Sequence, residues 1–286
     1  MNGLCFSGGG IKAAAHIGAL KAIEEKNMKF EYVSGTSSGS IIATLYALGY
    51  TSDEMLEIFK RYARKIKYIE PLKFFEIIFG LMFRGKLVVD GLNSGKIIEK
   101  LINEICIEKN IRKITDIKMP LLIPMVNLKT GTVYIASSIQ NRKTYSDDIK
   151  YIYDMPIGKA VRASCSYPAV ISPCEYKGVR LVDGGIRENL PWKELIDIGA
   201  DQVLGIGFQT ILDEDDEFEN MIEIAIRSLD LVCHELSIYE KCGIQNIINI
   251  PLPKISLLDS SKIDMLYKTG YNYVKNILKS TWQMEK

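Results

Sequence analysis

The chain has 286 residues, of which 47% are hydrophobic and 25% are charged, and its formal net charge is +1 at pH 7. The hydrophobic fraction is large enough to form a buried core, which excludes an intrinsically disordered protein. The balanced charge argues against nucleic acid as a partner, because nucleic-acid-binding domains usually carry a basic excess. The six cysteines contain no C-x-x-C pair, so we expect reduced thiols in a cytosolic protein rather than a metal or redox centre.

The N-terminal residues predict a β-strand that leads directly into a glycine-rich turn. Residues 3–7 are mostly apolar, and a helical pattern follows the turn over 11–25. The turn contains Gly8, Gly9 and Gly10. Backbone amides of such a turn, at the start of a helix, can point at an anion. No basic segment with a long apolar run is visible here and position 2 is Asn, so we expect neither a secretory signal nor N-myristoylation.

A second glycine turn extends from Gly35 to Gly39 and has the pattern G-x-S-x-G. Apolar residues at 30–34 predict a strand before it, and residues 40–48 predict a helix after it. In this context the pattern places a serine at a sharp turn, and the flanking glycines let the backbone reverse without Cβ clashes. Ser37 is therefore the candidate nucleophile, with the positive end of the next helix close to a developing oxyanion.

A serine nucleophile needs a base, and the chain contains only two histidines. His16 and His234 each lie in a helical pattern without a recognisable partner, so a structural role is the simpler interpretation. Asp183 follows a short apolar strand and precedes Gly184 and Gly185. A carboxylate in a dry site can accept a serine proton directly, which makes this residue the better candidate. By itself, an Asp-Gly-Gly sequence is also typical of an ordinary turn.

The first glycine turn also fits a second pattern. Residues 8–13 satisfy the dinucleotide fingerprint G-x-G-x-x-A. That fingerprint expects an acidic residue at the end of the second strand, but the strand ends at 34–37 without one, and Glu31 comes at its start. The turn is therefore better interpreted as an oxyanion hole than as a pyrophosphate site.

The remaining apolar runs predict a mainly parallel sheet. Short runs suited to buried strands lie at 121–127, 132–136, 179–182, 203–208 and 246–250. Helical patterns lie between most of the strands, and others cover 222–239 and the C-terminal region from Ile263. This alternation indicates a parallel sheet with helices on both faces. Because there is no repeat or low-complexity linker, a single α/β domain over 1–286 is the simplest organisation.

Residues 60–92 do not fit this alternation. They contain eight lysines and arginines between Lys60 and Lys86, around the apolar run 74–83. This run is too short to cross a bilayer, but apolar residues flanked by cations suit a surface that contacts anionic lipid. A core-packing helix with a solvated basic edge explains the same pattern, and both interpretations stay open. The acidic run 213–217 lacks calcium-loop spacing and predicts a solvated loop.

Taken together, these motifs resemble those of the patatin-like phospholipase family. Residues 7–20 are similar to its N-terminal oxyanion motif, the turn from Gly35 to Gly39 to its nucleophile motif, and residues 183–185 to its catalytic aspartate motif. Residues 160–168, before the aspartate, and residues 188–191 and 199–201, after it, also resemble segments of the family. The joint occurrence of these motifs in the right order is specific, although each motif alone is not.

The resemblance implies a three-layer α/β/α sandwich with a mainly parallel central sheet. It also implies a hydrolase of acyl esters in phospholipids or related lipids that uses a Ser–Asp dyad, here Ser37 and Asp183, without histidine, metal or other cofactor. The implied oxyanion hole is the turn from Gly8 to Gly10. The supporting positions of the motifs are Lys12, Gly35, Gly39, Gly184 and Gly185.

Two positions depart from the family pattern. Lys12 stands where Arg is usual, which keeps a cation but loses planar, bidentate hydrogen bonding. Ala13 stands where a glycine is common, so the turn is expected to be slightly stiffer. The resemblance covers about residues 3–210, but residues 60–92 and the C-terminal extension 211–286 lie outside the strong similarity. We expect part of the substrate choice to depend on these outer segments.

Two alternatives stay open at this point. The same residues fit an α/β-hydrolase with the triad Ser37, Asp183 and His234 in chain order, although that fold usually places several strands before its serine. A non-catalytic module that binds a lipid or a dinucleotide is the other alternative. For the hydrolase, we expect a lipid or acyl-ester substrate and a cytoplasmic protein with peripheral membrane contact through 60–92.

Overall fold

The computed structural model describes residues 1–65, 89–140, 148–211, 221–244, 246–253, 255–256 and 259–284, together with positions 73, 75, 76 and 79. Within these residues, nine strands form one sheet. The strands are β1 (Asn2–Phe6), β2 (Tyr32–Gly35), β3 (Leu121–Asn127), β4 (Val133–Ser137), β5 (Ile149–Ile152), β6 (Cys174–Tyr176), β7 (Val179–Asp183), β8 (Gln202–Ile211) and β9 (Asn246–Pro253). The α-helices of the same residues are α1 (Ala13–Glu24), α2 (Ser38–Ala47), α3 (Ser52–Ala63), α4 (Lys96–Glu108), α5 (Ile157–Ser164), α6 (Lys193–Asp197), α7 (Met221–Glu240) and α8 (Ile263–Met284).

The sheet is mainly parallel, as predicted. Its main order is β5-β4-β3-β2-β1-β8-β9, in which every neighbouring pair is parallel except β3 and β4. Strand β7 runs antiparallel to β3 and also pairs with β6. The seven apolar runs predicted as strands all form strands, whereas β5 and β6 had no signal in the sequence analysis.

Side chains of the strands alternate between two hydrophobic cores, one on each face of the sheet. On β1, Leu4 and Phe6 belong to the larger core and Cys5 to the smaller one. Helices α1 to α5 and α8 cover the larger core, while α6 and the segment around Leu190 cover the smaller one. The protein therefore has the three-layer α/β/α architecture that the resemblance implies.

Strand β3 brings the ends of two other strands together. Along one edge of β3, Leu122 is in register with Ser34 of β2, and Met125 is in register with Asp183 of β7. Because β2 is parallel to β3 and β7 is antiparallel to it, their carboxyl ends face each other. The distance between these two register positions is roughly 10 Å of strand. The turn after β2, which contains Ser37, therefore meets the end of β7.

Most of the basic segment 60–92 and all of the acidic run 213–217 lie outside the described residues. Within the apolar run 74–83, the described Phe75 and Phe79 are 66% and 55% exposed. The two interpretations of this segment therefore stay predictions. None of the helices in the described ranges is both long and apolar enough to span a membrane.

Helices α1 and α8 cross at a pair of glycines. A Cβ added to Gly18 would overlap the carbonyl oxygen of Tyr267, and a Cβ added to Gly270 would overlap that of Ala15. The two backbones therefore touch directly, with no side chain between them. Near the crossing, Val274 packs into the larger core. The contact holds the C-terminal helix tightly against the first helix.

Gly270→Val should lower the free energy of unfolding by about 3 kcal/mol, because its side chain must displace the backbone of α1. Helix propensity alone predicts no loss, since Val is a better helix former than Gly. Lys268→Val, at an exposed position of the same helix, is the matched control. Urea unfolding measures both variants, and equal stabilities would contradict the direct backbone contact.

Candidate active site

Ser37 lies at a strained turn between β2 and α2. Its φ is 52° and its ψ is −128°, a conformation that residues with a side chain rarely adopt. Gly39 allows the chain to turn here, because a Cβ at this position would lie 2.6 Å from the carbonyl oxygens of both Phe6 and Ser7. Helix α2 begins at Ser38. The motif thus has the strand, turn and helix that the sequence predicts.

The end of α5 contacts both candidate catalytic residues. Ser164 Oγ accepts a hydrogen bond from the Ser37 amide at 2.9 Å. The carbonyl oxygen of Ser166 accepts one from the Asp183 amide at 3.0 Å. Between these two serines, the buried Cys165 lies beside Ser37. One short segment therefore sets the spacing between the serine and the aspartate.

Asp183 is almost fully buried, with 2% of its surface exposed. Its Oδ1 accepts a hydrogen bond from the Gly185 amide at 2.8 Å, whereas Oδ2 has no hydrogen-bond partner among the described residues. Burial raises the pKa of Asp183 to about 7, although the Ser37 hydroxyl and the Gly185 amide act in the opposite direction. The carboxyl group is therefore close to half-ionised at neutral pH and has one uncommitted oxygen.

Ser37 and Asp183 are neighbours in space, because the Ser37 hydroxyl lowers the pKa of Asp183, although Asp183 Oδ2 has no hydrogen-bond partner among the described residues. Such contacts often tighten only when a substrate binds. The glycines predicted to support the site lie at close approaches of the backbone. A Cβ at Gly184 would lie 2.5 Å from the carbonyl oxygen of Pro124, and one at Gly35 would overlap that of Gly39.

The three amides of the first glycine turn differ in their partners. The Gly8 amide donates a hydrogen bond to Asn189 Oδ1 at 3.0 Å. Within the described residues, the amides of Gly9 and Gly10 donate to no protein acceptor. The turn also lies against the serine, since a Cβ on Gly8 would be 2.9 Å from the Cβ of Ser37. The free amides next to the serine are therefore those of Gly9 and Gly10, and the Gly8 amide ties the turn to Asn189.

Neither histidine joins the serine and the aspartate. The Nε2 of His16 donates a hydrogen bond to the Ser7 carbonyl oxygen at 2.9 Å, and the ring stacks on Phe208 with centroids 4.2 Å apart. Burial lowers the pKa of His16 to about 3, so this ring is neutral. His234 lies on α7 at the wall of the cavity described next, where Ser237 Oγ bonds to its carbonyl oxygen. No hydrogen bond joins its ring to another described side chain.

A cavity of about 670 Å³ lies over Ser37 and Asp183. It is lined by the first glycine turn and by side chains of α3, α4 and α7, and its walls are mostly apolar. The apolar lining includes Ile11, Ile41, Phe59, Ile98, Val170, Ile171, Phe208 and Ile226. This size and lining are typical of pockets that enclose a largely apolar organic ligand.

Lys12 lies in the wall of the same cavity. Burial lowers the pKa of its ammonium group, while the negative charge of Asp230 on α7 acts against this. Asp230 also accepts a hydrogen bond from the hydroxyl of Tyr167 at 2.5 Å. One carboxylate of α7 therefore interacts with a cation of the first glycine turn and with the segment that follows α5.

A comparison of the sequence with known protein families agrees with this fold and with the motifs of the site. The sequence profile described as Patatin-like phospholipase matches residues 4–196. The chain belongs to the patatin-like phospholipase family. The match favours the patatin fold over that of the α/β-hydrolase alternative.

Relatives of this patatin-like chain include proteins of very different length. The uncharacterized protein YqhO of Bacillus subtilis is 34% identical over 197 residues, which are 65% of this chain and 64% of YqhO. Lysophospholipase NTE1 of Meyerozyma guilliermondii is 24% identical over 303 residues, which cover 97% of this chain and 19% of that protein. The chain thus spans less than two thirds of both relatives. The crystal structure of VipD from Legionella pneumophila has the same fold, with a TM-score of 0.52 and 16% identity over 98% of this chain and 67% of VipD.

Two residues that hold this patatin-like site together were not singled out from the sequence. Asn189 and Ser164 occur in the stretches that resemble the family, but nothing in the local sequence assigned them a role. Their contacts, with Gly8 and with the Ser37 amide, join residues more than a hundred positions apart. The sequence shows a polar residue in each of these two stretches, but it does not indicate which residue that side chain contacts.

Asn189→Ala should lower kcat for ester hydrolysis about 10- to 100-fold with a smaller effect on KM, because the glycine turn loses the acceptor that fixes its position. Initial rates on a chromogenic ester measure both constants, and a melting curve shows whether the fold is kept. Asn246→Ala, at an exposed position of β9, is the control. An unchanged kcat in Asn189→Ala would contradict this positioning role.

Proposed function

We propose that this protein is a serine acyl hydrolase that cleaves acyl esters of phospholipids or related lipids through the dyad Ser37 and Asp183. The observation that carries the proposal is the buried, uncommitted Oδ2 of Asp183 beside the Ser37 side chain, at the base of an apolar cavity. A buried polar atom without a partner is costly, so it calls for an explanation beyond folding. A base that waits for the serine proton supplies one.

In the first step, Ser37 Oγ attacks the carbonyl carbon of the ester and its proton moves to Asp183 Oδ2. The tetrahedral intermediate then collapses, the ester C–O bond breaks, and the alcohol leaves with the proton from Asp183. The acyl group stays on Ser37. In the second step, water attacks this acyl-enzyme with Asp183 again as base, and the fatty acid is released as Ser37 regains its proton.

Negative charge develops on the carbonyl oxygen in both steps. The free amides of Gly9 and Gly10 next to Ser37 are the proposed donors to it. The positive end of α2, which starts at Ser38, adds to this stabilisation. Because these donors are backbone groups fixed by turns, little reorganisation is needed when the charge forms.

The raised pKa of Asp183 explains how a dyad can work without histidine. An ordinary aspartate is too weak a base to take a proton from a serine hydroxyl, whereas a carboxylate with a pKa near the working pH is a better one. The apolar walls of the cavity support a lipid acyl chain as the group that is transferred. A relative named lysophospholipase that matches 97% of this chain supports the same substrate class.

Ser37→Ala and Asp183→Asn should each lower kcat/KM for ester hydrolysis by at least about 1,000-fold, because one removes the nucleophile and the other its base. The double variant should be little slower than either single variant, since the two residues act as a unit. Release of fatty acid from phosphatidylcholine and from lysophosphatidylcholine is the measurement, and the ratio of the two rates separates phospholipase A from lysophospholipase activity.

The control for the dyad is His234→Ala, which should keep most of the activity because the proposal gives this residue no role. Mass spectrometry after treatment with a fluorophosphonate should find the label on Ser37. Substantial activity in Asp183→Asn, or a 1,000-fold loss in a folded His234→Ala, would overturn the proposed dyad.

The pH dependence of kcat/KM should follow the ionisation of Asp183. The base must be ionised, so kcat/KM should rise with pH, reach half of its plateau near the pKa of about 7, and stay level above it. Glu194→Gln is the control, because burial also raises the pKa of Glu194 to about 7 but this residue does not face Ser37. A profile that is flat from about pH 5 to pH 9, or one that shifts in Glu194→Gln, would argue against Asp183 as the base.

The contribution of Asp183 to the stability of the fold should decrease as the pH rises, whereas kcat/KM increases. Because the pKa of Asp183 is higher in the folded protein than in the unfolded chain, its stabilising effect is complete below about pH 4 and is lost as the pH rises through about 7. Asp183→Asn stays neutral, so its melting temperature relative to the wild type should rise over this range. A constant difference would show that the carboxyl group titrates normally.

A further inference from the structure

Three polar side chains from separate parts of the chain surround Gly207 on β8. Its register partner on β9 is Asn249, and a Cβ placed on Gly207 would lie 3.0 Å from Asn249 Oδ1. The same Cβ would lie 3.8 Å from Lys241 Cε and 3.8 Å from Ser7 Oγ. Gly207 lies next to the carboxyl end of β1, and even a Cβ at this position would be tight against Asn249 Oδ1. The absent side chain therefore lets these polar groups come close together.

Two of these groups have no partner in the protein. Ser7 Oγ and Asn249 Oδ1 are both buried and make no hydrogen bond among the described residues, and Ser7 is 3% exposed. Ser7 is not a remote core residue, since it lines the cavity together with Ser37 and Asp183. Buried polar atoms are normally paired, so two unpaired atoms on either side of Gly207 point to a bound polar group.

Lys241 adds a positive charge to this space and also lines the cavity. No hydrogen bond or ion pair reaches its ammonium group from the residues described. Its neighbour Glu240 is engaged elsewhere, because its two carboxyl oxygens accept the amides of Asn189 and Leu190 at 2.9 and 3.3 Å. Burial lowers the pKa of Lys241, which an anionic ligand would offset. Two further cations, Lys12 and Arg227, line the cavity, and Lys12 already interacts with Asp230.

We propose that Ser7, Lys241 and Asn249 form an anion pocket that binds a phosphate group of the substrate's head group. This proposal rests on the proposed function, in which the same cavity holds the ester at Ser37. An ammonium, a hydroxyl and an amide that can turn its Nδ2 inward are three donors for phosphate oxygens. Ser7 directly precedes Gly8, so the pocket adjoins the oxyanion turn, and the apolar walls are left for the acyl chain.

Binding without turnover gives the first test. The Ser37→Ala protein is titrated with sn-glycerol 3-phosphate in an isothermal titration calorimeter. Inorganic phosphate and glycerol are titrated in separate experiments. Lys241→Met in this background should weaken binding of glycerol 3-phosphate about tenfold or more, because a charge-assisted hydrogen bond is lost. Lys268→Met, which removes an exposed lysine of α8, is the matched control.

The ligands also separate a head group from a free ion. Binding of glycerol 3-phosphate more tightly than inorganic phosphate, with no binding of glycerol, is the expected result. Equal affinity for the two phosphates would overturn the head-group assignment. Equal binding of glycerol 3-phosphate by the Lys241→Met and Lys268→Met proteins would overturn the pocket itself.

Kinetics with the active protein give the second test. Lysophosphatidic acid and a monoacylglycerol with the same acyl chain differ only in the phosphate group. The ratio of their kcat/KM values should fall about tenfold in Lys241→Met, mainly through KM of the phosphate ester. Gly207→Ala, whose methyl group would displace the side chain of Asn249, should lower the same ratio, and its melting curve shows whether it folds. An unchanged ratio in both folded variants would overturn the proposal.

These results are separable from the proposed function. Loss of glycerol 3-phosphate binding in Lys241→Met, in a protein that hydrolyses no ester, would support the pocket and refute the hydrolase. Hydrolysis that depends on Ser37 and Asp183, with the same ratio in every variant of the pocket, would support the hydrolase and refute the pocket.

Discussion

The pairing of two strands with the same edge of β3 is the constraint on which the site depends. Strand β2 runs along this edge from one direction and β7 from the other, so the turn after β2 and the end of β7 share one small space. This explains why Gly184 has no room for a side chain and why Ser37 has a positive φ. The position of the serine next to Asp183 is therefore a property of the sheet, and strain at one residue is a consequence of it.

The loop after β7 then ties the two strand ends to the first glycine turn. Thr36 Oγ1 donates a hydrogen bond to the carbonyl oxygen of Glu188 at 2.7 Å, and Ser34 Oγ donates one to that of Pro191 at 2.8 Å. Asn189, between them, accepts the Gly8 amide. The turn that contains Ser37 and the first glycine turn are thus both held by hydrogen bonds to one short loop that follows Asp183. Such a preorganised arrangement lowers the cost of reaching a charged transition state.

The sequence predicted the buried strands and the local motifs, and it missed what depends on distant contacts. Seven strands were visible because each is an apolar run, whereas β5 is partly exposed and β6 has three residues. Ser37 and Asp183 could be predicted as candidates because each lies in a local motif. Lys241 and Asn249 have no such motif, since only the order of β1, β8 and β9 places them near Ser7. Helical periodicity also grouped the apolar residues of 222–239 on one face without revealing that Val232, Leu236 and Tyr239 on α7 are 57%, 41% and 66% exposed.

The position of β8 in the sheet has a consequence for folding during synthesis. Strand β1 pairs with β2 on one side and with β8 on the other, and the register that joins Asn2 to Gln202 spans 200 positions of the chain. When only the first half of the protein has been synthesised, β8 does not yet exist, and one edge of β1 is unpaired. Such an edge can pair with another chain, and long-range pairing is slow to form. The nascent protein is therefore most exposed to aggregation until β8 has emerged from the ribosome.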